Sequence, residues 1–116
     1  MKKLIFLGTI LLSISCKNGV DFELLNNTNT DIDSLIITNG FNNLVIKKIP
    51  MNKKKEGFLD FKKNNPRHDG IFNIRYFNKG KMIKSKSFGY YSNGSPSVKL
   101  FNVSIEKDTI ITKGKY

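Results

Sequence analysis

Tryptophan, alanine and glutamine are absent from the 116-residue chain, which carries one cysteine, one histidine and three prolines. The single Cys16 excludes an internal disulfide, so the fold must be held by its core alone. The single His68 falls short of the several His, Cys or carboxylate ligands that a protein metal site generally needs. It sits between Arg67 and Asp69, where a solvated side chain is the plain reading, and no Ser-His-Asp arrangement is supported beyond the residue types being present. Without alanine, and with many β-branched, aromatic, asparagine and glycine residues, the composition argues against helices and for strands.

Acids are scarce as well: nine Asp and Glu stand against 20 Lys and Arg, for a formal net charge of +11. Nothing marks two of the nine as a glycosidase pair, and no glycine-rich phosphate loop occurs. Asn27, Asn29, Asp31 and Asp33 alternate in the manner of a calcium loop. The sixth and twelfth positions of that loop require Gly and Glu, and here they hold Ile32 and Thr38. A polar turn entering a strand accounts for the pattern. No catalytic residue, metal or cofactor is expected. Nucleic acid is not an expected partner either, since no DNA- or RNA-binding motif is present.

Long hydrophobic runs are missing but for one. Lys2 and Lys3 precede an apolar run, Leu4 to Leu12, which is followed by small residues and Cys16. A positive start, a short apolar segment and a small-residue boundary make a secretory signal. The run is too short to span a bilayer core, which takes about 20 residues. Ser13-Ile14-Ser15-Cys16 resembles the lipobox of bacterial lipoproteins, in the relaxed form found in Bacteroidota. The resemblance implies a signal helix removed as residues 1–15, a diacylglycerol thioether on Cys16 and an acylated new N-terminus. Two or more chains, at about 0.8 kcal/mol per buried CH₂, hold a protein stably on a membrane. The expected location is the envelope, on the outer membrane. Residues 16–19 then form a lipidated tether, and the first acid after Lys17 comes only at Asp21. The pattern of a Lys followed directly by acids, a surface-export signal in some of these lipoproteins, is not clearly matched.

The mature chain, Cys16 to Tyr116, is one domain by length. Loss of Lys2 and Lys3 takes the formal charge from +11 to +9. Val20, Phe22 and Leu24 alternate with Asp21 and Glu23, as in a half-buried strand. Further strands are read at 32–38, 44–49 (stopped by Pro50), 58–61, 71–77, 82–88, 98–105 and 109–112. Asn39-Gly40 is a strong turn signal. Met51 to Gly57 reads as one basic loop and Lys62 to Gly70 as a second. The lysine-rich 82–88 strand suits a sheet edge. Gly89 is placed at a bulge, and of Tyr90 and Tyr91 at most one is expected to be exposed, because neighbours on a strand face opposite ways. Residues 114–116 are expected to fray as a tail.

Short strands at this spacing predict an all-β domain over residues 20–113, a small antiparallel β-sandwich of about seven strands, immunoglobulin-like or transthyretin-like. Phe22-Glu23-Leu24-Leu25-Asn26-Asn27, Ile36-Ile37-Thr38-Asn39-Gly40 and Phe88-Gly89-Tyr90-Tyr91-Ser92-Asn93-Gly94 also resemble the small β-rich lipoproteins of Bacteroidota. The resemblance implies no catalytic activity.

Lys53, Lys54, Lys55, Lys62, Lys63 and Arg67 are the candidate contacts to an anionic surface, either lipid headgroups or an acidic envelope polymer. The plain alternative is a solvated, solubilising face. If the strand 58–61 joins the two basic loops, they lie at its opposite ends. Asp33-Ser34-Leu35 and Asp108-Thr109-Ile110 resemble the short O-glycosylation site of exported Bacteroidota proteins, making Ser34 and Thr109 candidate glycan sites. The expected function is a membrane-anchored, non-enzymatic binding or structural module with a protein partner not named by the sequence. The alternatives are an inhibitor or immunity-type lipoprotein, and an envelope hydrolase with an unrecognised carboxylate pair.

Overall fold

The computed structural model describes residues 18–116, and every described element is a strand. Cys16 and the expected signal helix lie outside the described residues. The strands are β1 (Gly19–Asn27), β2 (Ile32–Thr38), β3 (Asn43–Ile49), β4 (Lys54–Asp60), β5 (Gly70–Asn78), β6 (Lys81–Tyr91), β7 (Leu100–Glu106) and β8 (Ile110–Lys115). That is eight strands rather than about seven.

They form two four-stranded sheets, ordered β4-β1-β7-β8 and β3-β2-β5-β6. Pairing is antiparallel except between β1 and β7, which run parallel, Phe22 opposite Phe101 and Leu24 opposite Val103. The period-2 alternation of β1 is what makes it central. Val20, Phe22 and Leu24 are fully buried, while Asp21 and Glu23 face outward.

The core lies between the sheets. Phe22 and Phe101 from one sheet stack at 5.6 Å between ring centres, as do Phe72 and Phe88 from the other at 5.5 Å. Phe22 meets Phe72 edge-on across the interface at 6.2 Å. Aromatic pairs of this kind contribute about 0.5–1.5 kcal/mol each beyond their buried area. Tyr91 joins from the end of β6, edge-on to Phe61 at 5.0 Å, and its hydroxyl donates to the Asn39 carbonyl at 2.7 Å.

The two open sides of the pair of sheets are closed differently. On one, Gly57 of β4 lets Leu44 and Ile46 of β3 come close; a Cβ there would stand 2.9 Å from Leu44 Cδ2. On the other, Lys84 and Lys86 occupy the inward-facing positions of edge strand β6, opposite Tyr76 and Ile74. Their stems cover the core and their ammonium groups donate to the Asp108 and Ile110 carbonyls at 2.5 and 2.6 Å.

Several local expectations are corrected. The stretch 51–57 is not one loop: the chain turns at Asn52, where φ is +63°, and Lys54 and Lys55 already belong to β4. β8 continues to Lys115, paired with Leu100, so the free tail is shorter than expected. β7 starts at Leu100, two residues late, because Val98 and Lys99 belong to the connection. The lysine-rich β6 is indeed an edge strand. The bulge also falls where Gly89 stands: Gly70 pairs with Tyr91 and Phe72 with Phe88, leaving one extra residue on β6, and Gly89 takes φ +67°.

Two asparagines are buried. Asn26 is fully satisfied: its amide donates to the Thr30 and Ile49 carbonyls, both at 2.9 Å, and its oxygen accepts from the Thr28 amide and hydroxyl. Asn39 accepts from the Phe41 and Asn42 amides, but its Nδ2 has no partner among the described residues.

Candidate functional site

Strand direction sorts the loops into two groups. At the end where β1 begins lie the β2–β3 turn, the β4–β5 loop, the β6–β7 loop and the end of β8. We label it the tether end after the tether expected at residues 16–19, since Gly19 follows Cys16 by three positions. At the other, distal end lie the β1–β2 loop and the β3–β4, β5–β6 and β7–β8 turns. The eight steps from Gly19 to Asn27, at about 3.3 Å each, put the ends of β1 about 26 Å apart.

The six basic candidates are all exposed, and the fold divides them. Lys53, Lys54 and Lys55 are distal, at the β3–β4 turn and the start of β4. Lys62, Lys63 and Arg67 are in the β4–β5 loop at the tether end. They do not make one patch, because β4 runs between the two groups. Lys99 and Lys115 join the second group: the Lys99 amide donates to the Lys115 carbonyl at 2.9 Å. Of the glycan candidates, Thr109 is exposed in the β7–β8 turn, and Ser34 is half-buried on central strand β2, between Lys47 and Phe77. Both sit towards the distal end.

The tether end is sewn together by amide side chains. Asn18 and Asn65 both donate to the Gly94 carbonyl, at 3.4 and 3.0 Å, and the Gly94 amide donates to the His68 carbonyl at 3.0 Å. Asn42 donates to the Asn64 carbonyl at 2.9 Å, and Asn64 returns a bond to the Phe41 carbonyl at 3.1 Å. Asp69 accepts from the Asn93 amide at 2.9 Å and the Tyr90 hydroxyl at 3.0 Å. The Asn93 amide, and then the Tyr90 hydroxyl, hold the Asp69 carboxyl below its usual range. The same hydrogen bond to Asp69 pushes the Tyr90 phenol up. His68 stacks edge-on against Phe41, ring centres 5.2 Å apart. These bonds make a braced surface of what the sequence read as separate loops.

Among the described residues, exposed aromatic side chains are confined to this end. Phe41 is 45 % exposed, Tyr90 58 % and Tyr116 91 %, and Ile71 beside them is 54 % exposed. The other exposed large apolar residues, Val45, Met51, Met82, Ile83 and Ile111, are aliphatic and lie on the sheet faces or towards the distal end. Tyr90 and Tyr116 line a cavity of about 340 Å³ together with Val98 and Phe101. Sequence reasoning weighed Tyr90 but missed Phe41, Ile71, Lys99, Lys115 and Tyr116. Phe41 had a legible signal, a bulky aromatic directly after the Asn39-Gly40 turn, where nothing requires one.

The outer face of the β4-β1-β7-β8 sheet carries both signs of charge, with Lys54, Lys113 and Lys115 exposed beside its acids. Asp21, Glu23, Glu56 and Glu106 project from it, and Glu23 stands directly across from Glu56. Asp21, Glu23, Glu56, Phe58 and Leu100 line a concavity of about 490 Å³ there. Like charges directly opposite on a sheet are destabilising. Among the described residues no three His, Cys, Asp or Glu side chains converge as metal ligands. No helix among the described residues is long and apolar enough to cross a membrane. No family model, curated protein or solved structure matches the chain.

Proposed function

We propose that the protein is a lipid-anchored lipoprotein of the cell envelope that works as a non-enzymatic binding or structural module. Its two packed sheets are read as a β-sandwich of immunoglobulin-like or transthyretin-like kind. The observation that carries the reading is the tether end: a braced surface of exposed aromatic and basic side chains, three positions beyond Cys16. Exposed aromatic surface is the mark of a contact site. The Asp69 and Glu106 carboxyls are both held low by hydrogen bonds, which suits fixed charge rather than proton transfer.

The test is the intact mass of the protein extracted from its own host, beside a Cys16→Ala variant. The expected result is Cys16–Tyr116 plus acyl chains, with the lipid lost in the variant. An unlipidated mature mass would sink the anchor.

A hydrolase reading rests on one observation of its own, the Glu23–Glu56 pair across a concavity. A working acid/base pair needs contrasting surroundings for its two carboxyls, and here both stand exposed on one open sheet face. Glu23→Gln and Glu56→Gln leaving any hydrolytic activity of the purified protein unchanged would dispose of it.

A further inference from the structure

We propose that the tether end is itself a bilayer-docking surface. On this proposal Phe41, Tyr90 and Tyr116 seat at the headgroup boundary of the membrane that holds Cys16. Lys62, Lys63, Arg67, Lys99 and Lys115 pair with its phosphates. The inference rests on the lipoprotein reading and adds an orientation to it: the strands stand away from the membrane, with Lys53, Lys54 and Lys55 turned outward.

Three observations support the bilayer as occupant. The first is the aromatic asymmetry described above. Tyrosine is enriched where one end of a side chain is apolar and the other wet, and the membrane interface is such a place. The second is charge. Five exposed basic residues at this end stand against Asp21, Asp60 and Asp69, and the Asp60 and Asp69 carboxylates are engaged by the amides of Lys62 and Asn93. A basic residue held at an anionic surface strengthens the contact about fivefold. The third is reach. The distal lysines begin about 26 Å away along β1, about three Debye lengths at physiological salt, so they add little attraction when the domain stands upright.

Anchoring alone does not set this orientation. A domain on a free tether would tumble, and both ends would meet solvent equally. Here Asn18 is tied into the end it leaves: its carbonyl accepts the Phe61 amide at 2.9 Å and its side chain reaches Gly94. Little chain separates the anchor from the surface.

The experiment is lysine footprinting of the full lipidated protein. It is reconstituted into phosphatidylcholine vesicles containing phosphatidylglycerol, and amine acylation is read by mass spectrometry against the same protein in detergent. The expected result is slowed labelling of Lys62, Lys63, Lys99 and Lys115 in vesicles, with Lys53, Lys54, Lys55 and Lys79 unchanged. A triple variant, Phe41→Ser, Tyr90→Ser and Tyr116→Ser, is expected to restore the detergent rate while keeping its lipid and a cooperative melt. Lys62→Gln with Lys63→Gln is expected to weaken the contact by about twenty-fivefold, at about fivefold per charge. Equal labelling of both ends in a protein shown to be lipidated would overturn the docking and leave the anchor standing. Slower labelling at the distal end would overturn it equally. A chain without lipid in the same mass spectrum would remove the anchor reading and this inference with it.

Discussion

Replacing Asn26 with Asp changes one nitrogen for oxygen at a fully buried position. The Asn26 amide donates to two carbonyls, Thr30 and Ile49, both at 2.9 Å. In the variant an acceptor faces two acceptors. The Ile49 carbonyl is buried and loses its side-chain donor, whereas Thr30 is exposed and can turn to water. An unmade buried hydrogen bond costs about 1–3 kcal/mol, and more when charge is involved. The expected loss at pH 7 is therefore about 3 kcal/mol. A domain of this size has about 5–15 kcal/mol in total, so the variant still folds, with a melting temperature lower by about 12–24 °C.

The pH dependence supplies the sharper test. Burial disfavours the charged form, so the new carboxyl titrates above its unfolded value of about 3.9. Protonated, it can donate to Ile49 again. The penalty is then smallest below about pH 3.9, grows as pH rises through the raised folded value, and is constant above it. Urea unfolding of both proteins from pH 3.5 to 7 reads this directly, with the native chain as reference for every other acid. A stability difference that stays flat across that range, or one within about 0.5 kcal/mol of zero at pH 7, would refute the reasoning.

The remaining predictions test other parts of the fold. Tyr91→Phe keeps the ring packing but orphans the buried Asn39 carbonyl, and denaturant unfolding should show a loss of about 1–3 kcal/mol. Gly89→Ala combines φ +67° with a Cβ 2.9 Å from both Phe101 Cζ and Phe72 Cδ2; a melt should show more than about 1 kcal/mol of destabilisation. The Glu106 carboxyl is held low by the Ser104 hydroxyl and then the Asn27 amide. Its contribution to stability is present above its unfolded pKa and is lost as pH falls through the lower folded value. Ser104→Ala should therefore raise the Glu106 titration followed by NMR, and an unmoved midpoint would show that the hydroxyl does not hold it.

Side-chain period decided much of this protein before any folding. Val20, Phe22 and Leu24, and then Phe72, Ile74 and Tyr76, can face a core only as strands, because a helix would scatter them around its axis. Asn39-Gly40 and Asn78-Lys79-Gly80-Lys81 punctuate them with residues that tolerate positive φ, and Gly40, Lys79 and Gly80 adopt it. Tyr90 out and Tyr91 in follows from the same alternation.

What period cannot specify is which strand lies beside which. β1 pairs in parallel with β7, across about 80 residues of chain. That pairing carries Lys99, Lys115 and Tyr116 to the end where β1 begins. The β5–β6 register, with its shift between Tyr76 and Phe77, sets Lys84 and Lys86 facing inward on β6, where polarity alone would have turned them out and turned Ile83 in. Phe41, Tyr90 and Tyr116 are far apart in sequence and read singly as turn, strand and tail. Only the stacking of two sheets gathers them at the end where β1 begins, because contacts between sheets depend on the whole order of pairing and not on any stretch of residues.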